Sequence, residues 1–205
     1  MFETIFKNEI TKLAGSSSLP DKCWIEIQTA YSKPNRHYHN LVHLDYLITN
    51  LSDIQNSLDD WQTIVLSVAY HDIVYNTLKQ DNEKRSANIA VTRLSLLNVP
   101  QWQKDKCYSQ IMATKTHHFV EDSDTNYFTD ADLAVLGADS ETYRLYTEQI
   151  RKEYHFYPDL VYNPGRKKVL KHFLAMPAIY KTPWLSNKFE KQARINLQNE
   201  LMQLG

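Results

Sequence analysis

His43, the adjacent pair His71 and Asp72, and a later aspartate, Asp130 or Asp132, form a scattered set of imidazole and carboxylate donors that suits one divalent cation. The chemistry such a set supports is metal-assisted hydrolysis. Trp61, Ile64, Val65, Val68 and Ala69 recur at helical spacing, and Asp72 continues that apolar stripe, which aims a carboxylate toward the core. An unpaired buried carboxylate costs several kcal/mol or stays protonated, so a basic side chain or a metal ion should meet it. His71 beside it favours the metal. His39 stands one helical turn before His43, and the stripe Leu44, Leu47, Ile48 and Leu51 makes His43 the deeper imidazole. His39 is then the rim imidazole, placed to donate or relay a proton.

Further candidates surround this set. Glu83 can hydrogen-bond a metal-bound water or a ligating histidine, or it can complement a helix dipole, with Asp81 and Asn82 capping the same helix. Arg36, Lys115 and Arg166 are candidate phosphate-binding cations, because a guanidinium can grip phosphate through two parallel hydrogen bonds. The thirteen tyrosines and four tryptophans are assigned to packing. On one face of the segment from Ser140 to Phe156, Tyr143, Tyr146, Ile150 and Tyr154 read as a packing or oligomer surface.

The elements that must position these groups read as helices. Only 4 glycines occur in 205 residues, and apolar residues recur at i, i+3 and i+4 with no sustained strand-like alternation. The pattern predicts an all-α chain with helices near Phe2–Leu13, Asp21–Tyr31, His39–Gln55, Trp61–Val74, Asn82–Leu97, Gln101–His117, Asp130–Leu136, Ser140–Phe156, Pro158–Leu174 and Asn187–Leu204. Loops are expected at Gly15–Pro20, Ser32–Asn35, Asn98–Pro100 and Phe119–Thr129. The acidic run EDSDTN in the last of these reads as solvated, or as a loop at the rim of the site. No segment resembles an interdomain linker, so one domain over 1–205 is expected.

Bulk composition narrows the function classes. A formal charge of -1 and a pI near 6.7 give no electrostatic reason to expect a nucleic-acid polymer or an acidic membrane as partner. Cys23 and Cys107 lack a CxxC neighbour, so neither a thiolate zinc site nor a disulfide framework is indicated, and a reducing cytoplasm fits. No stretch approaches the ~20 apolar residues of a membrane span. The N-terminal MFETIFKNEI mixes charge into its apolar residues and offers no leader-like apolar core.

The motif YHNxxH over Tyr38–His43, followed by HD at 71–72 and then an aspartate, resembles the HD superfamily of metal-dependent phosphohydrolases. The runs YHDIVYNTLKQDNEKRSA, TKTHH, TDADLAVLG, YRLYTEQIRKEY and PGRKKVLKHFLAMPAIY are similar to one bacterial subfamily of that group, over about Tyr31 to Leu201. The resemblance implies an HD-type helical bundle, with a motif-bearing core of about 31–139 and C-terminal helices of about 140–205. It implies His43, His71, Asp72 and Asp132 as metal ligands and His39 as a general acid, as in the similar motif of cyclic-nucleotide phosphodiesterases. The second phosphodiesterase signature, HDxxHxGxxN, is absent here, since IVYNTL follows the HD pair.

For a second metal the resemblance favours His117, whereas helical periodicity places His118 on the Ile111 stripe. Interaction with a helix C-terminus also explains either histidine. Mixed imidazole and carboxylate donors suit Mn, Fe, Co, Ni or Zn, with Mg also compatible. Hydrolysis of a small phosphorylated substrate, a phosphate mono- or diester such as a nucleotide, is the expected activity. In it His39, Asp72 and Glu83 are the candidate catalytic groups, and homo-oligomerisation is compatible with the sequence. Two alternatives share the pocket: a di-iron HD-type oxygenase, and a noncatalytic nucleotide or metabolite binder.

Overall fold

The computed structural model describes residues 1–14 and 18–205. Its described residues form ten α-helices and two short 3-10 turns, with no strand among them. In chain order the helices are α1 (Phe2–Ala14), α2 (Leu19–Tyr31), α3 (Leu41–Ser52), α4 (Trp61–Tyr70), α5 (Asn82–Leu96), α6 (Gln101–Ala113), α7 (Ser123–Asp132), α8 (Ser140–Glu153), α9 (Asp159–Ala175) and α10 (Pro183–Gln203). The 3-10 turns are Gln55–Ser57 and Ala134–Gly137. Of the loop expected at Gly15–Pro20, residues 15–17 lie outside the described residues, and Pro20 falls in the first turn of α2.

The chain divides into two compact units, Met1–Thr129 and Asp130–Gly205, and the division falls within the single helix α7. In the first unit α4 is the core element. Every residue from Thr63 to Tyr70 is buried, and α4 packs against α1, α3, α5 and α6. Asp60 starts it, its carboxylate accepting the Thr63 backbone N–H at 3.0 Å. A helix apolar all round needs neighbours on every side, and this one has them. Phe2, Phe6 and Trp24 form a small aromatic cluster between α1 and α2, with centroids 5.9–6.3 Å apart.

In the second unit α10 packs on α9 and on the Ala134–Gly137 turn. Gly137 permits that approach, since a Cβ there would stand 2.5 Å from Phe189 Cβ and 2.6 Å from its carbonyl oxygen. Buried Asn196 donates its side-chain amide to the carbonyls of Leu136 (2.9 Å) and Ala138 (2.8 Å), satisfying backbone acceptors that the short turn leaves open. Tyr143 and Ile150 of α8 are buried within this unit, so that face serves packing.

Three expectations are corrected. The helix carrying the HD pair stops at Tyr70, four residues before Val74, with His71 as its C-cap. Asp72 therefore leaves the apolar stripe and is half-buried, with 17% of its side chain exposed. The helix expected to reach His117 ends at Ala113. Most of the expected Phe119–Thr129 loop is α7, and the acidic run expected to be solvated is anchored. Asp124 is fully buried and accepts the backbone N–H of Asp59 (2.8 Å) and Asp60 (2.9 Å) and the Lys106 ammonium (2.7 Å). Asp122 receives the Thr125 N–H at 2.9 Å in the manner of an N-cap. Burial works to lower the Lys106 pKa, but its bonds to Asp124 and Asp122 outweigh it and hold the pKa above the ordinary lysine value.

Candidate metal centre

Asn40 explains how His43 is delivered. Its side-chain oxygen accepts the Val42 N–H at 2.8 Å and its amide donates to the His37 carbonyl at 2.8 Å, so it caps α3 and ties down the chain before it. His43 then falls in the first turn of α3, buried at 3% exposure. His39 precedes the helix instead of sharing it. It stands at the rim, 20% exposed, with its ring stacked on Tyr75 at 4.2 Å and its Nε2 3.9 Å from Asp72 Oδ2.

His71 is presented by the end of α4. Its Nδ1 lies 3.0 Å from the Val68 carbonyl, and a carbonyl can only accept, so Nδ1 carries the proton in the neutral ring. The His71 lone pair is then on Nε2, which lies 3.2 Å from His43 Nε2 and 3.3 Å from Asp72 Oδ2. Phe128 of α7 meets the His71 ring edge-on at 5.9 Å. Asp132 follows one helical turn later on the same face of α7.

His43, His71 and Asp132 each offer one ligand atom, and these atoms all lie within 4.8 Å of one another. Two neutral imidazoles and a carboxylate within that span are the donor types that hold a borderline transition ion. Fixing the His71 tautomer through a backbone carbonyl is also how metal-binding histidines are commonly oriented. The residues fit a metal. Asp72 stands beside this group, next to His71, and is not one of the three mutually close donors.

The choice between Asp130 and Asp132 follows from the partners of each. Asp130, fully buried, accepts the Lys181 N–H (2.8 Å), the Thr182 N–H (2.7 Å) and the Thr182 hydroxyl (2.8 Å), and pairs with the Lys181 ammonium at 2.6 Å. Two residues apart on a helix means nearly opposite faces, so Asp132 points elsewhere.

The remaining candidates are placed as follows. Glu83 is half-buried in the first turn of α5, where it complements the helix dipole. Asp81 makes no side-chain cap, and Asn82 instead grips the backbone of Asn76, through bonds of 3.2 and 3.0 Å. Ser86, one turn on, both accepts from and donates to the backbone of Val74. Asn82 and Ser86 thus hold the loop that carries Tyr75 under His39.

Arg36 is buried. Its two terminal nitrogens donate to the carbonyls of His39 (3.2 Å) and Ile73 (3.0 Å), and its guanidinium lies over the rings of Tyr31 (4.7 Å) and Tyr75 (5.6 Å). Lys115 is exposed and donates to the Gln80 carbonyl at 3.1 Å. Arg166 is buried in the second unit, its fork closed on both carboxylate oxygens of Glu200 at 2.7 and 2.8 Å. A fork so occupied leaves Arg166 a structural cation there. His117 adopts a positive φ of 53° beyond the end of α6, its N–H bonded to the Ala113 carbonyl at 2.9 Å, and His118 is exposed. Neither belongs to the close group, which is the single such group among the described residues.

Sequence reasoning missed Tyr31, whose hydroxyl accepts the Asp72 N–H at 3.1 Å, as well as Tyr75, Phe128 and Ser86. Asn82 and Ser86 share a helix face within the singled-out run DNEKRSA, and that i, i+4 spacing was the available signal.

Fold and site together define an all-helical protein whose histidine and aspartate side chains form a group able to hold a metal ion. No protein-family model, curated protein or solved structure matches the chain. No helix among the described residues is long and apolar enough to cross a membrane.

Proposed function

We propose that the protein is a metal-dependent phosphohydrolase of the HD type, acting on a small phosphate mono- or diester such as a nucleotide. The observation that carries this reading is the convergence of His43, His71 and Asp132 within 4.8 Å, beside a rim imidazole that is held but accessible. A divalent ion, when bound, supplies Lewis acidity toward a phosphoryl oxygen and a lowered pKa for a coordinated water. His43, His71 and Asp132 would hold it, and Asp72, 3.3 Å from His71 Nε2, would join them or orient a water.

His39 is the general acid in this reading. Its ring is stacked on Tyr75, and Asp72 Oδ2 lies 3.9 Å from its Nε2, on the side from which a leaving oxygen would be met. Glu83, in the first turn of the helix that grips the Tyr75 loop, remains a candidate outer carboxylate.

The test is metal analysis of protein purified without chelator, followed by a screen of phosphate mono- and diesters with the identified ion. The expected outcome is phosphate release that falls about 10²–10⁴-fold in His39→Ala while the metal is retained. Retained metal with no turnover across the panel would replace catalysis with ligand binding. Two irons per chain and oxygen-dependent turnover would replace hydrolysis with oxygenation.

A further inference from the structure

We infer that the cleft at the start of α3 is a binding site for a small oxyanion of the phosphate class, independent of any metal and of the phosphohydrolase reading. The cleft has a volume of about 200 Å³, opens to solvent, and is lined by Tyr31, Lys33, Arg36, Asn40, Leu41 and Val42 among others.

Arg36 carries the argument. It is 5% exposed, and its hydrogen-bond acceptors are two neutral carbonyls. No carboxylate pairs with it among the described residues, and its Nε has no hydrogen-bond partner. The contrast with Arg166 is direct, because that equally buried guanidinium is neutralised by Glu200 at 2.7 Å. Carbonyls and tyrosine faces stabilise a cation locally but leave its full charge in place, and a buried charge is costly unless an opposite charge meets it. An anion in the adjoining cleft supplies that charge.

Two further features of the cleft favour an anion. Lys33 adds a second cation at its exposed rim. The first turn of α3, a helix of twelve residues whose Val42 N–H is already taken by the Asn40 cap, lies beside it and adds the field of its dipole. Size selects the ligand, since drug-sized molecules occupy roughly 300–1,000 Å³. The cleft suits inorganic phosphate or a phosphoryl group better than a whole nucleotide.

Inorganic phosphate, and phenyl phosphate in a parallel arm, would be titrated calorimetrically into chelator-treated full-length protein at low salt. Saturable one-to-one binding of phosphate is expected. Lys33→Ala and Val42→Glu, both at exposed positions, should each weaken it by about five- to tenfold with an unchanged circular-dichroism spectrum. Arg36→Met should abolish it where that variant folds, and the two surface variants carry the test where it does not. Binding of phosphate but not of phenyl phosphate identifies the free ion as ligand, and binding of both identifies the phosphoryl group. Absence of saturation, equal affinity in both surface variants, or binding only after metal is restored would overturn the inference. The last outcome would leave the phosphohydrolase reading intact.

Discussion

His43 and His71 meet nitrogen to nitrogen, with their Nε2 atoms 3.2 Å apart in the interior of the first unit. Because the Val68 carbonyl holds the His71 proton on Nδ1, the neutral His71 ring offers a lone pair at that meeting point. A proton on His43 or a shared cation can satisfy it, and the carboxylate of Asp132 makes the shared cation the better fit.

Protein purified without chelator should therefore carry one divalent transition ion per chain, measured by inductively coupled plasma mass spectrometry. His71→Ala should lower that content at least about tenfold. Wild-type metal content in the variant would show that the imidazole pair is an ordinary hydrogen bond.

Asp130 and Asp132 should separate in mutagenesis. Asp130→Ala removes the fully buried carboxylate that the Lys181 ammonium, 7% exposed, meets at 2.6 Å, and should cost about 3–5 kcal/mol in urea unfolding. Asp132→Ala removes a half-buried carboxylate and should chiefly reduce metal content. A variant at Asp132 that keeps its metal while the one at Asp130 folds normally but loses it would reverse the assignment.

Arg166 should affect stability and leave phosphate-ester affinity alone. Burial works against its charge, yet the Tyr146 and Tyr143 hydroxyls and the Glu200 carboxylate outweigh it and hold the pKa well above the ordinary arginine value. Burial, reinforced by the Glu200 charge, likewise pushes the Tyr143 hydroxyl up. Arg166→Met should lose about 3–5 kcal/mol by stranding Glu200, and the double variant Arg166→Met/Glu200→Met should recover much of it. Denaturant melts of the single and double variants decide the point, and a normal melt for Arg166→Met with a raised KM would return this residue to substrate binding.

The start of α7 should show a defined pH dependence. Burial would raise the Asp122 pKa, but the Thr125 hydroxyl and N–H, with Lys106, outweigh it and hold the pKa below 3.8. A depressed carboxylate pKa stabilises the fold fully above the unfolded value, and that stability is lost as pH falls through the folded one. Asp122→Ala should thus cost about 0.5–1 kcal/mol at pH 7, the low part of the capping range for a side chain 42% exposed. The gap between variant and wild type should close below about pH 4, and a gap that persists at pH 2 would count against this cap.

How much of this was legible in the chain depends on where each residue finds its partner. Trp61 to Ala69 announced a buried helix, because apolar spacing is a local property and α4 obeys it. Its end was harder to read, since His71 and Asp72 are held by the Val68 carbonyl and the Tyr31 hydroxyl, the latter 41 residues away in sequence. α7 was hidden for a similar reason. The run EDSDTN is polar enough to be solvated, and only Lys106 and the amides of Asp59 and Asp60 explain a buried Asp124.

Residue type and spacing alone determined an all-helical chain and the donor residues His43 and His71, because side-chain chemistry and helical period are written locally. Tertiary structure decided which aspartate joins them, since Asp130 is claimed by Lys181 and Thr182, more than fifty residues downstream. It likewise decided that Arg36 lies buried against the Tyr31 ring and that Arg166 is spent on Glu200. A charged side chain is committed by whichever opposite charge or acceptor the fold brings within reach, and that distance is not a property of sequence.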